Sequence, residues 1–509
     1  MEKKIILCFS LFSSMCFAPV GKSVSLGKTL SKPMSGSTVA SLQPSWPKVD
    51  LQKLEAVADV FADEIQTTIS EKFAGQATRV DGTILADQIV EKLAEKFQLT
   101  DGTPIDETLW EITAPGRYYL QESLPTHSLN IASDFVMIDM NGRQLQKITS
   151  NGYKNITIMG GFLESGITDA AIYLTNCQNF ALGNLVFKSS GVTTTTGAIH
   201  LNNCENFLVQ GAMFRDCPVA LYVDTCDAMK MESLLINNST GIGVVIANSR
   251  SYLLNEVAMD MCTNALFSLN NSSYYMQNVL STSAVDYAFS FSVDNGFIMS
   301  HCSATHGGER AFKFTNCDSG SITNCGAYNN VAEGFALTGI SVESMQLNSC
   351  MSVRNKSRGF LIDDADGIAM NNCLSAFNTL SGFRLAGSAT GCVLDSCLAY
   401  RNEIGIELGT ETTSVIEDNV IKNCDSIQSS GQGILLWGQA SNNVFIDNVL
   451  TSNGADGVYF KSGGSYTGNI VTKCVARNNT AGNYTDVPAS AISTSSDLSV
   501  AGAWQCISK

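Results

Sequence analysis

Along most of the chain a small residue is followed by apolar–any–apolar, and this pattern returns at a nearly constant interval. Its first apolar position falls at Ile172, Ile199, Leu221, Val244, Phe267, Phe289, Phe312, Phe335, Phe360, Phe383, Ile406, Ile434 and Val458, in steps of 22 to 28 residues, most often 23. The unit around Val136 and Ile138 adds one more at the N-terminal side, for about fourteen units. A period of this length means a solenoid, in which each unit is stable only against its neighbours. The Leu-x-x-Leu-x-Leu signature of leucine-rich repeats is missing. Each unit instead carries three short β-like runs, such as Gly382–Leu385, Cys392–Leu394 and Leu398–Tyr400, with no stretch long enough for a helix. Three strands per turn predict an all-β, single-stranded parallel β-helix over residues 100–485. At ~4.8 Å between coils its length is on the order of 65 Å.

The N-terminal hundred residues follow other patterns. Lys3 and Lys4 precede an apolar run from Ile5 to Phe17, and residues 1–18 read as a signal peptide. The run is too short to span a bilayer, and no later stretch of 18 apolar residues occurs. Neither Cys8 nor Cys16 has the small residue before it that a lipid anchor needs. Residues 19–50, rich in Ser, Gly, Pro and Lys, read as a flexible linker. In residues 51–99, Leu51, Leu54, Val57, Phe61, Ile65 and Ile69, then Ile84, Ile89, Leu93 and Phe97, fall on helical faces. This short α-helical region either covers an open end of the solenoid or drives self-association. Residues 486–509 form a C-terminal cap or tail, too short for a membrane barrel.

The repeat also explains the cysteines. Seventeen are present, fifteen after loss of Cys8 and Cys16. Cys177, Cys204, Cys226 and Cys317 stand five positions after the anchor, with Ser249 and Ser272 in the same register. Cys302, Cys325, Cys350 and Cys373 stand ten before the next anchor, and Cys397 nine before. Recurrence at one position suits stacked, buried thiols rather than disulfides or zinc ligands. Asn176, Asn203, Asn248, Asn271 and Asn316, four after the anchor, are expected to hydrogen-bond from coil to coil.

These Gly-apolar-x-apolar units and Asn-Cys turns resemble right-handed parallel β-helix repeat proteins of the pectate-lyase-like superfamily, over roughly residues 100–485. The resemblance implies a right-handed solenoid. It also implies either polysaccharide lyases, hydrolases and epimerases or non-catalytic adhesins and surface proteins. Fold and function separate here, because the repeat specifies the first and not the second.

Chemistry is therefore sought on the outward column one position after each anchor: Tyr173, His200, Tyr222, Val245, Ser268, Ser290, Lys313, Ala336, Leu361, Arg384, Glu407, Leu435 and Tyr459. Tyr173, His200 and Tyr222, with Asp224 nearby, suit stacking against sugars and could shuttle protons; strand-favouring surface residues give the same pattern. Asp363, Asp364, Asp366, Arg384 and Glu407, with Arg354 and Arg358 before them, form a second group. By resemblance, lyases pair acidic calcium ligands with an arginine base, and hydrolases use paired carboxylates. Asp363-Asp364-Ala365-Asp366-Gly367 therefore admits calcium as a cofactor, or a solvated turn. The hydrolase blocks Asn-Thr-Asp, Gly-His-Gly and Arg-Ile-Lys and the epimerase block Asp-Pro-His-Asp are absent. A third set, Thr305-His306-Gly307-Gly308-Glu309-Arg310, gathers His, Glu and Arg in a loop.

Composition narrows the choice. The 509 residues carry a net charge of −16, which argues against nucleic acid, whose phosphates need clustered Lys and Arg. Only 15% of residues are charged and 44% are hydrophobic, as suits a long continuous core. The reading is a secreted, periplasmic or surface-exposed β-helix that binds carbohydrate or a surface partner along one outward face, without clear catalytic machinery. A polysaccharide lyase or hydrolase using His200, Arg384, Asp363 and Asp364 is the alternative, and a structural surface spacer the third.

Overall fold

The computed structural model describes residues 102–165, 170–189, 197–410, 414–488, 491, 494–495 and 506–508. The expected signal peptide, linker and amphipathic segment lie outside these residues. Each coil contributes one short strand to each of three parallel ladders. One coil shows the plan: Phe360–Asp363 in the anchor ladder, Ala369–Asn371 in the second and Leu374–Ala376 in the third. Phe383–Ala386 then pairs in register with Phe360–Asp363 and starts the next coil. The result is an all-β parallel solenoid of about 16 turns, two more than the sequence repeat indicates. The extra turns lie at the N-terminal end, where the anchor ladder continues below Ile172 through Ile148 and Leu129, while Val136–Asp139, expected as an anchor unit, stacks through Ile158 on Leu182 in the second ladder.

Asparagine recurs at the corners. Between the second and third ladders a single residue takes the left-handed conformation and the next points inward. Asn324, Asn372 and Asn423 do so at φ of 54°, 53° and 54°, each followed by a buried cysteine, Cys325, Cys373 and Cys424. Asn tolerates this conformation better than most residues. The fourteen cysteines from Cys177 to Cys474 named as buried are all free thiols. The internal thiol column runs Cys302, Cys325, Cys350, Cys373, Cys397, Cys424 and, past Asn448, Cys474.

Repetition also builds the core. Phe289, Phe312, Phe335, Phe360 and Phe383 stack with centroids 4.6–5.0 Å apart and planes within 8° of parallel. The strand spacing sets this separation, and burying each ring contributes roughly 1.5–3 kcal/mol.

Two expectations are corrected by the register. The anchor after Val244 is Leu266, not Phe267, so Phe267 joins the outward column and Ser268 is fully buried. A slip of one residue exchanges the two faces of a strand. The anchor-plus-four asparagines do bond across coils, Asn203 Nδ2 to Asn176 Oδ1 at 2.6 Å, but at an exposed corner. Asn271 lies instead in an inner column. The buried asparagine ladder is elsewhere, before the anchor: Asn330, Asn355, Asn378 and Asn402 each donate Nδ2 to the Oδ1 of the next at 2.9, 3.1 and 3.1 Å. Every buried amide is thereby satisfied by the neighbouring coil, which removes the cost of placing it in the core.

In the middle of the solenoid the inner columns change residue type. The Asp294 carboxylate, 1% exposed, accepts from Asn271 N at 2.7 Å and from the Tyr274 hydroxyl at 3.0 Å. Burial pushes its pKa up to about 6.

Candidate functional site

The outward side of the anchor ladder carries a cleft of about 560 Å³ lined by residues of the coils between Arg310 and Ser414. Its floor is short and apolar. Ala336, Leu361 and Ala386, 0%, 6% and 3% exposed, pack together there. Its walls are charged and come from three columns. Two positions before the anchors stand Arg310, Glu333 and Arg358, so charges of alternating sign stack from coil to coil. Glu333 bridges its neighbours, with Arg310 Nε at 2.9 Å and Arg358 Nη1 at 3.1 Å, and accepts from the Ser357 hydroxyl at 3.0 Å. Burial works to raise the Glu333 carboxyl, but the Arg310 guanidinium and the Ser357 hydroxyl outweigh it and hold it below the usual range. It is a locked, ionised strut rather than a proton donor.

One position after the anchors stands Arg384, whose Nε lies 3.7 Å from Glu407 Oε2; Glu407 in turn accepts from the Ser381 hydroxyl. Burial lowers the Arg384 pKa. The Nε atoms of Arg358 and Arg384 are buried and have no hydrogen-bond partner. Three positions after the anchor stands Asp363, whose carboxyl is raised by burial and then by neighbouring Asp364. Asp364 accepts from Ser388 N at 2.9 Å. Gly387, at φ +61°, passes close beside these two carboxylates, and a Cβ there would collide with Asp364.

The structure thus unites Asp363, Asp364, Arg384 and Arg358 in one cleft. It leaves out Asp366, which is exposed and accepts from the Thr390 hydroxyl at 3.0 Å. It leaves out Arg354, whose guanidinium lies 5.8 Å from the exposed Phe377 ring. Of the loop set only Arg310 reaches the cleft; His306 sits in a left-handed, exposed corner. The calcium reading fails on this geometry. Among the described residues no group of three His, Cys, Asp or Glu side chains gathers as metal ligands. Glu333 escaped the sequence reading, although its register two before the anchor, between Arg310 and Arg358, was the available signal.

The Tyr173, His200 and Tyr222 rings line up along the same outward face, with centroids 4.8 Å apart in each step and planes inclined by 61° and 44°. Burial lowers the His200 pKa, with Asp224 opposing, and His200 Nδ1 is buried without a partner. Asp224 accepts from Asn248 Nδ2 at 2.8 Å. Eight coil steps separate His200 from Arg384, about 38 Å.

Residues 359–500 match the family described as right handed beta helix region. The chain is a β-helix repeat protein. Residues 182–350 of the β-helix match a second family, described as periplasmic copper-binding protein (NosD). Of its four histidines, His127, His200, His301 and His306, only the last two share a coil, and among the described residues no group of three His, Cys, Asp or Glu side chains gathers. None of the curated proteins is significantly similar to it. Similar solved structures include a mannuronan C-5 epimerase A-module of Azotobacter vinelandii, 13% identical over 74% of this chain and 92% of that one, with a TM-score of 0.31. An α-1,3-glucanase catalytic unit from Streptomyces thermodiastaticus is 12% identical over 74% and 65%, with a TM-score of 0.30. A tailspike protein of E. coli bacteriophage HK620, in complex with a hexasaccharide, is 10% identical over 75% and 73%, with a TM-score of 0.32.

Proposed function

We propose that this β-helix is an exported carbohydrate-binding protein whose binding site is the arginine cleft. The observation that carries the reading is the open cleft itself, where guanidiniums and carboxylates from successive coils converge on one cavity. The lining carries three guanidiniums and three carboxylates: Arg310, Arg358 and Arg384 against Glu333, Asp363 and Asp364. Balanced charge does not favour a polyanion. It suits a neutral saccharide, whose hydroxyls both donate and accept. Tyr173, His200, Tyr222 and Asp224 offer a second contact on the same face. Export is supported by the Lys3–Lys4 and Ile5–Phe17 pattern and by the match to a family described as periplasmic. Retention of the full chain on a neutral-glycan array, lost in Arg384→Ala, without new reducing ends, is the expected result. No retention of any glycan overturns the reading.

One observation favours a hydrolase instead. The raised carboxyl of Asp363 beside Asp364 is the pairing that general acid–base cleavage of a glycoside uses. Release of reducing ends by the wild type but not by Asp363→Asn would establish it.

A further inference from the structure

The column that carries Asp363 continues, coil by coil, through Ala386, Gly409, Trp437 and Lys461. Their neighbours Leu385, Leu408, Leu436 and Phe460 are paired in register. Gly409, at φ +83°, is held to glycine because a Cβ there would collide with the Trp437 carbonyl. Two coils in succession therefore place almost no side chain between Asp363 and Trp437. The indole is partly exposed. Lys461 Nζ lies 3.1 Å from its ring centroid, and Lys461 belongs to the following coil. One face of the ring is therefore taken by a cation from the following coil. The ammonium also holds the ring in place through cation–π attraction.

We infer that Trp437 is a second subsite of the saccharide site, a platform on which the apolar face of a pyranose ring stacks. Its partners in the cleft, Arg358, Arg384 and Asp363, grip hydroxyls of the same chain. Trp437 and Asp363 are three coils apart, about 14 Å, so the ligand is an oligosaccharide lying parallel to the solenoid axis rather than a monosaccharide. Aromatic rings suit this contact because they bury a large apolar area with little rotamer freedom to lose. The inference rests on the carbohydrate-binding reading of the cleft.

The probes are maltohexaose, cellohexaose and mannohexaose. The protein is the full chain with Trp46, Trp110 and Trp504 changed to Phe, so that Trp437 alone reports. Saturable change of indole emission is expected, at the affinity that calorimetry gives for the wild type. Trp437→Ala weakens binding about tenfold, Trp437→Phe no more than about threefold, and the monosaccharides bind at least tenfold more weakly than the hexasaccharides. If a hexasaccharide binds and Arg384→Ala weakens it, while Trp437 emission is unchanged and Trp437→Ala binds like the wild type, the subsite is wrong and the cleft stands. If no probe binds, the cleft reading fails and the subsite with it.

Discussion

The arginine cleft and the Tyr173–His200–Tyr222 column share one outward face, yet one is walled and the other is an open row of inclined rings. The difference lies two positions before the anchors. In the cleft those positions hold Arg310, Glu333 and Arg358, long side chains that rise beside Ala336 and Leu361 and pair with one another. In the column they hold Ala170, Gly197 and Val219, all buried. Gly197 has no room for a side chain, because a Cβ would collide with the Tyr222 backbone. A solenoid gives every coil the same backbone, so a site is made by choosing which columns carry long residues and which carry short ones.

The largest expected effect is on that wall. Glu333→Ala leaves the partly buried Arg310 and Arg358 without their carboxylate and should cost about 2–3 kcal/mol, read as a lower unfolding midpoint in denaturant. Asp224→Asn, at the edge of the open row, should move the midpoint by less than about 0.5 kcal/mol. Equal losses would erase the distinction between the two regions.

Asp294 lies four coil steps from both His200 and Arg384 and tests whether the two regions unfold together. Its folded pKa, about 6, stands above the ordinary aspartate value of 3.8, so the folded state holds the proton more tightly than the unfolded chain. Its contribution to stability is complete at low pH and is lost as the pH rises through about 6. Asp294→Asn should remove that loss, a gain on the order of 2 kcal/mol at pH 7 over pH 4 relative to wild type. Hydrogen exchange that slows at pH 7 in cleft and column alike would mean one cooperative unit. Slowing confined to neighbouring coils is expected of a nearest-neighbour solenoid.

Smaller effects separate the two as binding surfaces. Arg384→Ala should weaken oligosaccharide binding tenfold or more, and His200→Ala about threefold, both by calorimetry. His200 carries the opposite pH signature to Asp294. Burial lowers its folded pKa from 6.5, so its contribution is present at neutral pH and lost as the pH falls through the folded value. In the His200→Gln variant the excess acid sensitivity of exchange around Ile199–Asn202 should disappear.

The repeat period, the three strands per coil and the inward thiols are all legible in the chain. Each follows from residues recurring at one interval, and a parallel stack brings equal positions together. Arg384, Asp363 and Asp364 are legible for the same reason, since each has a fixed distance from its anchor. The slip at Phe267 shows the limit: in Ala265-Leu266-Phe267-Ser268 two adjacent apolar residues compete for one inward position, and only pairing with Val244 and Phe289 selects Leu266. Glu333 was invisible for a related reason. Nothing in its local sequence distinguishes a solvated glutamate from one gripped by arginines 23 residues before and 25 after it. The sequence alone determined that coils would stack and what would line their interior, because burial repeats with the period. Which charges converge into a cleft was decided by tertiary structure, because side chains far apart in the chain become neighbours only once the coils are in register.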